Sequence, residues 1–394
     1  SIGGFTFVVF KTYKMNDMKG KQGMVCMGLL LVLSSCHTGK QITASGLQRK
    51  DFQTEVNGQH TDLFTLSNKQ GMEVCITNYG ARVVSILVPD RNGKREDVVC
   101  GFSTITEYME QRQNFGSTVG RYIGRILNAR FTLDGVEYKL VPNNGKSGHI
   151  SHGGNPGFAD RIWKVEQADT HRACLSYLSP DGENGFPGNL KVTLVYSLGE
   201  DDNALDLTYE ATTDAPTVLN LSHHSFFNIS GNFTKSVEDQ QLWVDADRFT
   251  PYDDKKCVTG EYLPVAGTPL DFRMPHAIGE CIDADHPQLK VVNGYDHTWE
   301  LNTKGDDTRP AAWVYDPASG RKMEIFTTEP GMQIYTGNGL KGKMTGKRGI
   351  AYPFRSAVCF ETMHFQDSPN QPGFPSTVLR PGEVFRSHTV YKFE

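Results

Sequence analysis

The feature that most constrains this chain is the regular return of a turn signal between short runs of alternating apolar and polar residues. Residues 131–140, FTL-DG-VEYKL, set Asp134-Gly135 between two such runs, and Asp-Gly suits the two-residue primed turn, whose central residues both need φ > 0. Residues 190–197 and 204–212 predict a second hairpin, and 311–315 with 322–327 a third across Pro317-Ala318-Ser319-Gly320. The carboxy terminus repeats the device around Arg380-Pro381-Gly382-Glu383. Earlier in the chain, residues 52–56, 62–67 and 72–88 read as strands, with Asn78-Tyr79-Gly80-Ala81 interrupting the last. Asp90-Arg91-Asn92-Gly93 then turns the chain before the apolar run 97–102. No segment sustains a helical period for long, residues 104–111 being the best short candidate. Strands and helices do not alternate regularly, so a doubly wound sheet is excluded and the expectation is an all-β fold, a large antiparallel β-sandwich with minor helix.

With 394 residues and 38% hydrophobic content, the chain can bury a large core. The net charge of −5 is spread without single-sign blocks, which excludes the basic footprint of a nucleic-acid binder and favours a small, largely neutral ligand. Residues 18–36, MKGKQGMVCMGLLLVLSSC, have the lysine-bearing start, short apolar run and small residues of a secretory signal. Their apolar run falls well short of the roughly 20 residues that span a bilayer. Leu33-Ser34-Ser35-Cys36 resembles the lipobox of bacterial lipoproteins, so Cys36 is the expected lipidation site of an exported, periplasmic or membrane-anchored protein. The organisation expected is a leader over 1–36, in which 1–14 reads as sequence added to or upstream of the start, a linker over 37–50, and one domain over 51–394. Cys75, Cys100, Cys174, Cys257, Cys281 and Cys359 show no metal-ligand spacing, and several sit in apolar runs, so mostly buried thiols are expected.

Dinucleotide, phosphate-loop, nucleophile-elbow and metalloprotease motifs are missing, which leaves acid and base chemistry without a cofactor. Two stretches stand out. Residues 220–228, NLSHHSFFN, place two histidines beside two aromatic rings, and residues 357–374, AVCFETMHFQDSPNQPGF, end an apolar run on Glu361. A lone histidine is more often a hydrogen-bonded core residue, but His224 among aromatics suits proton exchange near neutral pH. His223 faces the other way in a strand and reads as structural. Glu361 is either paired at the core rim or aimed into a pocket. His152 precedes Gly153-Gly154, which admits a ligand close to bare backbone or simply makes a turn. Arg125 with Arg121 reads equally as a solvated face, Asp296 with His297 as a local turn, and Gln333 as an outward strand residue. Trp163, Phe158, Phe227 and Tyr335 each read as core, although a site for a ring-shaped ligand needs one apolar platform.

Taken in order, GRYIGRI, HGG with GF and W following, HHSFFNISG, GYDHTW, GMQIYTGN and ETMHFQDSPNQPGFP with RPGE resemble the motif series of the aldose 1-epimerases, the galactose mutarotases. The resemblance runs from about residue 52 to 394. It implies a large antiparallel β-sandwich, His224 as general acid and Glu361 as general base. Arg125, His152, Asp296 and Gln333 match residues that hold sugar hydroxyls. It implies a small-molecule sugar as partner. No cofactor and no metal are expected, with membrane contact only through a lipid at Cys36, and a monomer or homodimer. Ring opening needs Glu361 ionised and His224 protonated, which predicts a bell-shaped pH dependence. Many members carry Asn immediately before the arginine, where this chain has Gly124, and that puts the preferred sugar in doubt. Two other readings remain: a carbohydrate-binding protein that has lost catalysis, and a glycoside-active enzyme, which would need two carboxylates.

Overall fold

The computed structural model describes residues 41–394; the expected leader and Cys36 lie outside the described residues. Antiparallel pairing dominates because the turn signals hold successive strands side by side. At the first hairpin Arg130–Leu133 pairs with Val136–Lys139, and Asp134 (φ 52) and Gly135 (φ 79) supply the two positive φ angles the sequence predicts. The main sheet has nine strands, in the order Lys164–Ala168, Arg172–Ser179, Leu190–Leu198, Ala204–Thr213, Phe385–Phe393, Lys322–Thr327, Ala312–Tyr315, Gln241–Val244 and His276–Ala277. Across the core lie a six-stranded sheet and a four-stranded sheet. The six-stranded one runs Phe226–Phe227, Val358–Met363, Gly331–Tyr335, Asp296–Glu300, Arg248–Thr250, Leu263–Pro264.

Strand alternation assigns the two faces of that smaller sheet. Trp299, Met332, Ile334 and Phe360 enter the same buried cluster as Leu194, Leu207 and Tyr391 of the nine-stranded sheet. The intervening residues Thr298, Gln333 and Glu361 therefore point to the opposite face, and they lie in register: Thr298 opposite Gln333, Gln333 opposite Glu361. Burying the aliphatic row fixes the polar row, since a slip of one residue would exchange them.

Four expectations are corrected. The strands either side of Arg380–Glu383 do not form a hairpin: Val378–Leu379 pairs with Thr217–Val218, while Phe385–Phe393 inserts between Ala204–Thr213 and Lys322–Thr327. A nine-residue alternating strand gains two ladders there instead of one. Residues 41–50, the described part of the supposed linker, pack against the sandwich, with Thr43 and Leu47 buried and the Ala44 and Ser45 N–H groups donating to the buried Glu73 carboxylate at 3.0 and 3.1 Å. Arg121 is buried, donating to the carbonyls of Pro187 and Gly188 and to Ser179. Of the six cysteines, only Cys75, Cys100 and Cys359 are fully buried; all six are free thiols.

The helix expected at 104–111 forms over Ile105–Gln111, closed at its start by a Thr104–Glu107 capping box. A second, Pro287–Val292, has no sustained period in the sequence and is set by Pro287 at its first turn and Asn293 in the left-handed conformation at its end.

Candidate active site

A cleft of about 240 Å³ opens on the polar face of the six-stranded sheet, a volume below the ~300–1,000 Å³ usual for drug-sized ligands. His224, Glu361, Arg125, His152, Asp296 and Gln333 all line it, so the six residues singled out from the sequence converge on one space from six separate segments. The floor is built by the strands. His224 ends strand Ser222–His224, which pairs with Ser117–Val119. Glu361 lies on Val358–Met363, Gln333 on Gly331–Tyr335 and Asp296 on Asp296–Glu300. Arg125 and His152 come from the opposite wall, where Arg125–Ile126 pairs with Ile150–Ser151.

His224 Nε2 stands 3.4 Å from Glu361 Oε1, with both side chains almost wholly buried. The His224 ring stacks on Phe226 (centroids 5.0 Å apart, 13° between planes) and meets His152 edge-on at 5.5 Å. These contacts lock the imidazole in place. Burial pushes the Glu361 carboxyl well above its ordinary value, with Asp296 adding to the effect, and holds His224 well below 6.5, reinforced by His152. The sequence-based expectation of an ionised Glu361 and a protonated His224 is thus not the state that burial favours. The neutral pair and the ion pair nonetheless hold the same single proton and differ only in which side chain carries it.

His152 is held down to about 4 by burial and by Arg125, so it stays neutral. Its Nδ1 accepts the Gly124 N–H at 3.4 Å, which leaves the ring proton on Nε2 as a donor. Asp296 accepts a 2.6 Å hydrogen bond from Gln333 Nε2, and burial raises its carboxyl. Gln333 Oε1 accepts from Thr298 and, at 3.3 Å, from Gln366 Nε2, so the amide has one orientation. Arg125 donates to the Lys256 carbonyl at 3.3 Å.

His223 projects away from the cleft as expected, bonded to Ser225 Oγ at 2.6 Å. The glycines after His152 serve the protein's own chain: a Cβ on Gly153 would stand 1.9 Å from the Gly120 carbonyl oxygen, and one on Gly154 2.5 Å from the Asn184 side chain. Trp163, Phe158 and Phe227 are core, but Tyr335 lines the cleft with Phe226, their rings 5.9 Å apart and nearly perpendicular. With Met363, that pair makes the apolar part of the lining. Gln113, Asn114, Phe226, Met363 and Gln366 were missed. Phe226, Tyr335 and Met363 each lie two residues beyond a chosen polar residue, so strand alternation could have found them; Gln113 and Asn114 lie in a loop without periodic signal. The ligand-capable atoms of His224, Cys359 and Glu361 also lie within 4.8 Å of one another.

The aldose 1-epimerase family model matches residues 62–392, a span that includes the whole cleft. The chain belongs to the aldose 1-epimerase family. Among curated members it is 39% identical over 330 residues to galactose mutarotase of Sus scrofa, covering 84% of this chain and 93% of that protein. It is 36% identical over 340 residues to aldose 1-epimerase of Escherichia coli K12, covering 86% and 96%. Among solved structures it resembles the GalM/aldose epimerase homologue from C. elegans, with TM-score 0.78, 30% identity and coverage of 85% and 99%. Galactose 1-epimerase from Lactobacillus acidophilus aligns at TM-score 0.75 and 28% identity, covering 86% and 96%.

Proposed function

We propose that this protein is an aldose 1-epimerase, an isomerase that interconverts the α and β anomers of free hexoses such as galactose and glucose. The observation that carries the reading is the 3.4 Å approach of the His224 imidazole to the Glu361 carboxyl at the floor of a small polar cleft. The two oxygens that exchange protons in a cyclic hemiacetal share one carbon, C1, so their acid and base must be neighbours. In the productive state Glu361 takes the proton from the C1 hydroxyl while His224 protonates the ring oxygen, and the C1–ring-oxygen bond breaks to give the open aldehyde. Rotation about C1–C2 presents the other carbonyl face. Closure returns both protons with the roles reversed, so the pair ends with the proton count it began with. Arg125, His152, Asp296 and Gln333 hold the hydroxyls, and the Phe226–Tyr335 corner offers an apolar wall to the ring.

A glycosidase reading needs two carboxylates as the acid and base pair, whereas the close acid–base contact in this cleft is His224 with Glu361. The test is polarimetry of freshly dissolved α-galactose and α-glucose. Faster approach to the same final rotation is expected, lost in Glu361→Gln; a wild-type rate equal to buffer overturns the reading. Export and lipidation at Cys36 form a separate proposal, supported by the pattern of residues 18–36. Labelled palmitate should enter the full chain in a bacterial host and not Cys36→Ser; equal labelling of both refutes it.

A further inference from the structure

The backbone at Gly124 has φ +77, and a Cβ built there would stand 2.6 Å from Gln366 Cγ and 3.1 Å from its Cδ. The place where a side chain at 124 would enter the cleft is therefore taken by Gln366, which arrives from a different segment, the loop after Val358–Met363. That loop is tied to the same wall: the Asp367 N–H donates to the Arg125 carbonyl at 2.8 Å, and Asp367 Oδ1 accepts the Leu127 N–H at 3.0 Å. The Gln366 amide is held at three points. Its Oε1 accepts the Arg125 N–H at 3.2 Å, and its Nε2 donates to the Tyr252 hydroxyl at 2.6 Å and to Gln333 Oε1 at 3.3 Å. Carbonyl oxygens have two lone pairs, so Oε1 keeps one acceptor site, and Gln366 lines the cleft. Tyr252 accepts from both glutamines, which leaves its own proton to donate elsewhere.

We propose that Gln366, seated in the notch left by Gly124, is a specificity-determining residue of this cleft, replacing from another loop the amide that a side chain at 124 would supply. It acts in two ways. It presents an acceptor to one sugar hydroxyl, and through Gln333 Oε1 it fixes the amide that orients Asp296. Neither task moves a proton in the reaction, so Gln366 governs sugar affinity and the preference among hexoses. The inference rests on the proposed epimerase activity.

Asn is the residue other than Gly that best tolerates left-handed backbone, so Gly124→Asn is opposed mainly by the Gln366 side chain. Truncating that residue to Ala leaves only its Cβ, at 3.4 Å, an ordinary contact. The experiment compares wild type, Gln366→Ala, Gly124→Asn and the double variant, each with galactose and glucose, after its thermal transition has been shown to be cooperative. Gln366→Ala should raise KM about tenfold for at least one sugar, with a smaller fall in kcat, and change the ratio of kcat/KM between the two sugars. Gly124→Asn should be worse than Gln366→Ala, and the double variant should recover from Gly124→Asn because the clash is gone. KM values within about twofold of wild type for Gln366→Ala, or a double variant no better than Gly124→Asn, overturn the inference. If Gly124→Asn does not fold, Gln366→Ala decides alone. A wild type without mutarotase activity sinks the functional proposal instead, and calorimetric binding of the same two sugars to wild type and Gln366→Ala then judges Gln366.

Discussion

At the scale of single residues, the chemistry rests on where one proton sits in the His224–Glu361 pair. Glu361→Gln cannot accept a proton and His224→Asn cannot deliver one, so either should cost at least ~100-fold in kcat while far-ultraviolet circular dichroism stays at the wild-type level; activity within a few-fold of wild type would remove that residue from the mechanism. The pH profile follows from burial. Activity needs the pair to hold one proton, so it fails on the acid side when His224 and Glu361 are both protonated and on the alkaline side when both have lost theirs. Burial lowers the first of these steps and raises the second. The bell in kcat/KM should therefore be broad, with its acid limb below the 6.5 of an ordinary histidine; an acid limb at or above that value contradicts the buried pair. Much of this site was legible because each key residue sits in a stretch of unusual composition, such as HHSFF or HISHGG. Gln366 was not: Gly124 stands out in the sequence, but no local pattern records that a residue 242 positions later fills the space beside it.

At the scale of elements, alternation and turn chemistry gave the hairpins, and what they could not give was the partner of a strand whose neighbours are distant in sequence. Phe385–Phe393 looks like the second arm of a hairpin, yet it completes the middle of the nine-stranded sheet. The same limit explains Arg121: a charged residue in a Gly-rich stretch reads as exposed, while the carbonyls that satisfy it come from residues 187 and 188. The loop carrying His152 depends on a comparable long-range fit, because Gly153 (φ +79) packs on the Gly120 carbonyl. Gly153→Ala adds both backbone strain and a contact that cannot be relieved by a side chain. It should destabilise the fold by about 1–3 kcal/mol, measured by urea unfolding. Because His152 is the next residue, KM for sugar should rise as well; unchanged stability and KM would show that the wall can shift without consequence.

At the scale of the whole molecule, the nine-stranded sheet is clamped on its outer side by an Asp–His–Asp bridge between segments far apart in the chain. His388, on the central C-terminal strand, bonds through Nε2 to Asp206 of the neighbouring strand and through Nδ1 to Asp307 of the loop following Asp296–Glu300, each at 2.6 Å. Both nitrogens can donate only in the imidazolium, and the two carboxylates, Asp206 foremost, raise His388 to about 9 from 6.5. The folded value lies above the unfolded one, so the bridge stabilises fully below pH 6.5, and its contribution fades as the pH rises through about 9. The site is about a third open to solvent, with 30% of the His388 side chain exposed. Screening therefore limits the contribution to on the order of 1–2 kcal/mol. Urea unfolding of wild type and His388→Gln should differ by that amount at pH 6 and converge near pH 10, since glutamine spans the same strands without the charge. Added salt should narrow the difference at pH 6, because the site is partly exposed. A gap that stays constant from pH 6 to 10 would mean that packing of the ring, and not its charge, joins the loop to the sheet.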